Sequence, residues 1–180
     1  MRSAIIALTT VLSCGAALAQ SQPYAGMQAR AIKTLSDEQI ADLRAGRGMG
    51  LALAAELNGY PGPIHAIELA DQLHLAPEQV AKLKELFAAM RAETIPIGES
   101  LISLERSLND EFARRTVTPA SLETATSRIG ATQAALRAAH LKYHLSTTAI
   151  LTPEQVKRYD ELRGYGGSEA PIQHHPHHQQ

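Results

Sequence analysis

From Val80 to Phe112 the apolar residues fall three and four apart with hardly a break. They are Val80, Leu83, Phe87 and Met90, then Ile97, Leu101, Leu104, Leu108 and Phe112. That spacing is one face of an α-helix, and no strand can hold it on one side. The helix starts at Pro77 and is long. Pro96 sits between the two runs and is expected to kink it near Thr94 rather than end it. The segment "RRTVTP" (114–119) is a turn, with Thr118 as the next N-cap and Pro119 in the first helical position. Beyond it, Leu122, Ile129, Leu136, Tyr143 and Ile150 recur every seven residues, a seam that packs along another helix at a shallow angle. No stretch alternates as a half-buried strand does. The fold class is all-α.

One phrase is written three times: "LSDEQI" (35–40), "LAPEQV" (75–80) and "LTPEQV" (151–156). Each reads as a helix start. Thr152 caps by accepting from the amide of Gln155, and Gln155 reaches back to the amide of Thr152, a capping box. Pro153 costs nothing at the first position, and Leu151 with Val156 forms a hydrophobic staple. Leu35, Ser36 and Gln39 repeat this pattern. Leu75, Pro77 and Gln79 do so without the hydroxyl, because Ala76 stands at the cap and forfeits about 1 kcal/mol. The phrase is architecture before it is chemistry.

A first helix is expected from about Asp37 to Leu57, although it contains Gly46, Gly48 and Gly50, each costing about 1 kcal/mol inside a helix. A phosphate-cradling loop there lacks the preceding strand and the spacing. Residues 20–34 read as an extended or weakly ordered lead-in, "NGYPGP" (58–63) as a break, and Ile64 to His74 as a short helix. The last helix runs from Pro153 to about Arg163. The end of the chain, residues 164–180, is Gly, Pro, Gln and His with little to bury, and is expected to be a disordered His-rich tail.

Residues 1–19 read as a signal peptide, with Arg2, an apolar run from Ala4 to Leu12, and Ala17-Leu18-Ala19 before the cut. A lipoprotein cleaved before Cys14 fits Val11-Leu12-Ser13 poorly. Of 180 residues, 161 remain after Ala19. They have no cysteine, hence no disulfide. Losing Arg2 leaves 16 basic and 18 acidic residues, a charge of −2, without the clustered basic excess that nucleic acid calls for. The chain divides into 1–19, a segment 20–63 containing the Gly-bearing helix, a helical domain 64–163, and the tail.

Enzyme readings find no footing. The mature chain has no cysteine, no nucleophile elbow, no HExxH and no recognisable carboxylate pair. Metal ligation has more to offer. His140 and His144 are four apart on one helix face, with His65, Glu68 and His74 as partners at the same end of the fold. Ordinary partly exposed histidines are the plainer reading. His174, His175, His177 and His178 in the tail would take zinc, nickel, cobalt or copper without fixed geometry. Lys82, Lys84, Arg91, Arg114 and Arg115 could form a positive strip beside the apolar face, suited to transient holding of unfolded chains, or a plain solvated face with Glu78, Glu85 and Glu93.

"LAPEQ" before one long helix and "LTPEQVKRYDEL" after a second resemble the LTxxQ family of exported helical proteins over roughly residues 64–163. The family includes the chaperones Spy and CpxP and the metal-responsive ZraP and CnrX. The resemblance implies a kinked antiparallel long-helix hairpin with short flanking helices, dimerising into a thin curved cradle. It implies a periplasmic protein with one of two functions. Spy/CpxP-like members hold partly folded client proteins without ATP in envelope stress, with no cofactor required. CnrX-like members bind nickel, cobalt or zinc through histidines and carboxylates and signal to a membrane sensor partner.

Overall fold

The computed structural model describes residues 23–165; the expected signal peptide and the tail histidines lie outside the described residues. The described residues form six α-helices and no strand: α1 (Asp37–Ala45), α2 (Leu53–Glu56), α3 (Pro63–Glu68), α4 (Pro77–Arg114), α5 (Pro119–Thr148) and α6 (Pro153–Leu162). The long pair α4 and α5 pack along each other as an antiparallel hairpin, joined by the short turn after Arg115, whose left-handed φ of 56° ends α4. Pro96 deprives the Ala92 carbonyl of its helical partner, yet α4 runs on unbroken through it. Two residues before it, the wholly buried Thr94 donates its hydroxyl to the Met90 carbonyl at 2.9 Å. Ile129, Leu136 and Tyr143 of the seven-residue seam are buried; Leu122, nearest the turn, is exposed.

The three repeated phrases all open helices. Ser36 and Thr152 make full capping boxes with Gln39 and Gln155. Ala76 has no side-chain acceptor, so at α4 only the return half survives, with the Ala76 amide donating to Gln79 Oε1 at 3.0 Å.

The expected helix from Asp37 to Leu57 is instead two. Gly46 takes a left-handed φ of 67°, and the amides of Gly46 and Arg47 turn back to the carbonyls of Leu43 and Asp42. Glycine carries no Cβ to oppose that conformation, so it closes α1. A turn then leads to the single helical turn of α2. The short helix expected to reach His74 ends at Glu68 and continues as turns. Residues 23–36, expected as an extended or weakly ordered lead-in, are turns, bends and one 3-10 turn (Met27–Ala29).

This lead segment lies on the hairpin. Ile32 and Leu43 are buried with Leu101, Ile102, Ile129 and Leu136 in the larger core, which Leu35, Ile97, Leu104 and Leu108 flank. The Leu43 carbonyl approaches Gly98 so closely that a Cβ there would stand 2.7 Å from it. Thr34 donates to the buried Glu105 at 2.8 Å, and Arg44 pairs with Glu99 at 3.1 Å. A second core, with Ala66, Leu83 and Leu151 flanked by Leu75, Ile150 and Val156, closes the base of the hairpin. Most of the apolar stripe of α4 is therefore covered within one molecule, and Phe112 at its end is exposed.

Candidate functional site

The two glutamines at the hairpin base face each other. Gln79 Nε2 donates to Gln155 Oε1 at 2.8 Å, and Gln155 Nε2 donates back to Gln79 Oε1 at 3.1 Å. Each oxygen also accepts the amide of its own cap residue, Ala76 or Thr152. The second proton of Gln79 goes to the Ile150 carbonyl at 2.9 Å, and that of Gln155 to the Leu73 carbonyl at 3.4 Å. Each primary amide thereby satisfies its donors and its acceptor. The result is a brace tying the starts of α4 and α6, with no free group left to do chemistry.

A second polar cluster forms where α2 meets α5 and α6. Glu56 is buried. Its Oε1 accepts the hydroxyls of Tyr159 at 2.5 Å and Tyr165 at 3.3 Å, with Arg163 Nε at 3.5 Å. Its Oε2 accepts the Gly62 amide at 3.1 Å and lies 3.7 Å from His144 Nδ1. A buried carboxylate needs such a ring of donors. Burial, and then the Glu56 carboxylate, push the Tyr159 phenol far above its ordinary range, so it remains a donor. His144 Nδ1 is 2.7 Å from the Tyr60 carbonyl. A carbonyl can only accept, so Nδ1 carries a proton, and in the neutral ring Nε2 is the nitrogen with the lone pair.

One turn earlier on α5, His140 is buried and its Nε2 has no hydrogen-bond partner. Burial first, and the neighbouring His144 second, lower its pKa. Both rings line a cavity of about 220 Å3 together with Glu56, His65, Met90 and Arg163. Asp160 Oδ1 is likewise buried without a partner, and burial, then the charge of Glu56, raise its pKa.

A family model described as LTXXQ motif family protein matches residues 63–163, more than half of the chain. This chain belongs to the LTXXQ motif family. The family is one of periplasmic proteins and is not enzymatic. Comparison with curated proteins and with solved structures gives no match. Among the described residues no helix is long and apolar enough to cross a membrane.

The LTXXQ match begins at Pro63, so α1, α2 and the turns before them stand outside it. Both paired glutamines fall inside it, whereas Glu56 does not. Of the histidines named from sequence, His65, His140 and His144 reach the same cavity. Glu68 is not among the residues lining that cavity; it pairs with His65 Nδ1 at 2.9 Å and lines an adjoining cavity with Phe87, Met90 and Arg91. His74 is exposed in a left-handed turn before α4. Among the described residues no group of three or more His, Cys, Asp or Glu side chains stands arranged to hold a metal ion. His174, His175, His177 and His178 lie outside the described residues.

The basic strip is not continuous, since Arg91 donates to the Ala45 carbonyl at the end of α1 and Arg114 pairs with Asp110. Sequence reasoning missed Glu56 and its tyrosines. The available signal was a lone acid in the uncharged stretch 48–62.

Proposed function

We propose that this protein is a periplasmic binder of partly folded chains, a Spy/CpxP-like chaperone that works without ATP during envelope stress and acts as a homodimer. The observation that supports this most is membership of the LTXXQ family over an all-helical hairpin that leaves large apolar side chains in solvent, Phe112, Leu122 and Leu145 among them. Scattered exposed apolar residues are normal, but an exported helical protein with so few aromatic residues has little reason to place a phenylalanine at a turn unless something meets it there. Substoichiometric suppression of aggregation of a denatured client is the expected result; no effect at a large molar excess overturns the reading.

A second reading is favoured by the cavity. His140 Nε2 is unpartnered, and His144 is held through Nδ1 on the Tyr60 carbonyl, which in the neutral ring leaves Nε2 as the ligating nitrogen, the arrangement usual behind a metal-bound imidazole. In this reading the protein takes zinc, nickel, cobalt or copper through His140, His144 and the tail histidines, and reports to a membrane sensor partner. Calorimetric titration of a chain truncated after Gly167 decides the part played by the helices. Binding that vanishes with the tail removes the helical site.

A further inference from the structure

The glycines of "AGRGMG" (45–50) divide the lead segment into two parts that are held in different ways. Gly46, Met49 and Gly50 all take left-handed backbone, with φ of 67°, 44° and 83°. Met49 carries a Cβ and is strained there. After this turn, α2 is fastened from inside, because the buried Glu56 takes the Tyr159 hydroxyl. Before it, Ile32 and Leu43 enter the core, but most polar ties to α4 lie at the rim. Arg44 meets Glu99 with both side chains about half exposed, Arg91 donates to the Ala45 carbonyl, and the Lys33 amide donates to Asn109. Exposed ties of this kind stabilise little. The seam beneath is not close-packed. A cavity of about 640 Å3 lies between Leu35, Leu43 and Met49 on one side and Leu101, Ala134 and Leu136 on the other. A second, of about 510 Å3, separates residues 45–49 from Phe87, Met90 and Arg91. Permanent cores hold few voids larger than a water molecule. With nine residues, α1 is also too short to persist as a helix once detached.

Taken with the proposed chaperone reading, on which it rests, we infer that residues 23–45 are a displaceable cover hinged at residues 46–50, and that the hairpin face beneath, with Ile97, Leu101, Leu104, Leu108 and Leu136, is the surface that receives client. What covers the face now defines what replaces it. The cover is a short apolar stretch, Ile32, Leu35, Ile40 and Leu43, with a cation beside it, Arg44, seated on Glu99. Along this edge α4 sets two acids, Glu99 in solvent and Glu105 buried beneath Thr34. An apolar segment flanked by lysine or arginine gains on such a face, and one flanked by acids loses. Lifting the cover returns the Glu105 carboxylate to water, which lowers the cost of opening. The family match begins at Pro63, so it spans the hairpin, and the cover is what this chain adds to the LTXXQ unit. A client has to outcompete the cover, and its apparent affinity falls with the fraction of molecules that stand open. The face is thereby hidden from water when nothing needs holding.

The test uses the purified protein and a fluorescent leucine-rich peptide flanked by lysines, read by anisotropy. Ile32→Ser/Leu43→Ser loosens the cover and leaves the hairpin untouched; it should bind the peptide at least about fivefold more tightly than the wild type. Gln79→Ala, which weakens the hairpin base away from the seam, should change binding less than about twofold. Circular dichroism and thermal unfolding check that the helices survive. Should the serines unfold the chain, Gly98→Ala takes their place, since its Cβ would press on the Leu43 carbonyl from the other side. In the wild type, saturating peptide should speed amide exchange across Asp37–Ala45 and leave α2 protected. Equal binding by the loosened and wild-type proteins overturns the proposal, as do α1 amides that stay protected at saturation. A peptide flanked by glutamates that binds as well as the lysine one also overturns it. A doubled sedimenting mass of the loosened protein, in place of peptide binding, assigns the face to a second copy and overturns it too. Peptide binding that follows the cover, with no suppression of aggregation by either protein, keeps the cover and removes the chaperone reading.

Discussion

At the scale of single residues, two buried groups decide what the α2–α6 contact tolerates. Glu56→Ala strands the Tyr159 hydroxyl without an acceptor, and a buried donor left unpaired costs about 1–3 kcal/mol. Glu56→Gln keeps an oxygen for it and should cost less; urea unfolding of the two variants checks the order, and equal costs would show that the carboxylate is not the organising group. His140 makes stability depend on pH. Its folded pKa is depressed by burial and by His144, while in the unfolded chain it titrates near 6.5. Acid therefore protonates the unfolded state first. Stability is unaffected well above that value and falls as pH drops through it toward the folded pKa. Urea midpoints should decline between about pH 7.5 and 5.5, and His140→Gln should flatten the decline. This window lies above the range in which Glu93, its pKa lowered by Lys142 and then Tyr143, begins to be protonated.

At the scale of elements, the hairpin is braced at its base and wedged along its length. Gln79→Ala and Gln155→Ala each leave the other amide short of partners, so their costs should not add; a double-mutant cycle should give a coupling of about 0.5–3 kcal/mol. Gly98→Ala sets helix propensity against sterics. An alanine gains about 1 kcal/mol inside a helix, but its Cβ would meet the Leu43 carbonyl at 2.7 Å, a backbone atom that cannot rotate away. Overpacking of that kind costs about 1–3 kcal/mol, so net destabilisation is expected, with amide protection lost first in α1; a neutral or stabilised variant would contradict this packing. The long helices and all three helix starts were legible in the sequence, because the three-and-four spacing and the capping residues act locally. The end of α1 at Gly46 was not, since a glycine in an otherwise helical pattern reads equally as a weak interior position and as a left-handed stop. Nor was the reciprocal glutamine pairing, which needs two caps 76 residues apart to be brought face to face. The histidines were legible as i, i+4 neighbours, but that Glu68 would pair with His65 and not reach His140 and His144 depended on how α3 is set against α4 and α5.

At the scale of the whole molecule, the lead segment makes this chain thicker than its hairpin. It fills the groove over α4 with Ile32 and Leu43 and fastens itself through Glu56 to the last helix. Glu56 and Tyr159 are separated by 103 residues, and contacts of such separation form late because a long loop must close first. A polypeptide is made from its N-terminus, so the leucines and alanines of residues 51–57 emerge long before the tyrosine that will anchor them exists. Until Tyr159 arrives, the lead segment is itself an unfinished chain with greasy side chains in water, the kind of object we propose the finished molecule holds.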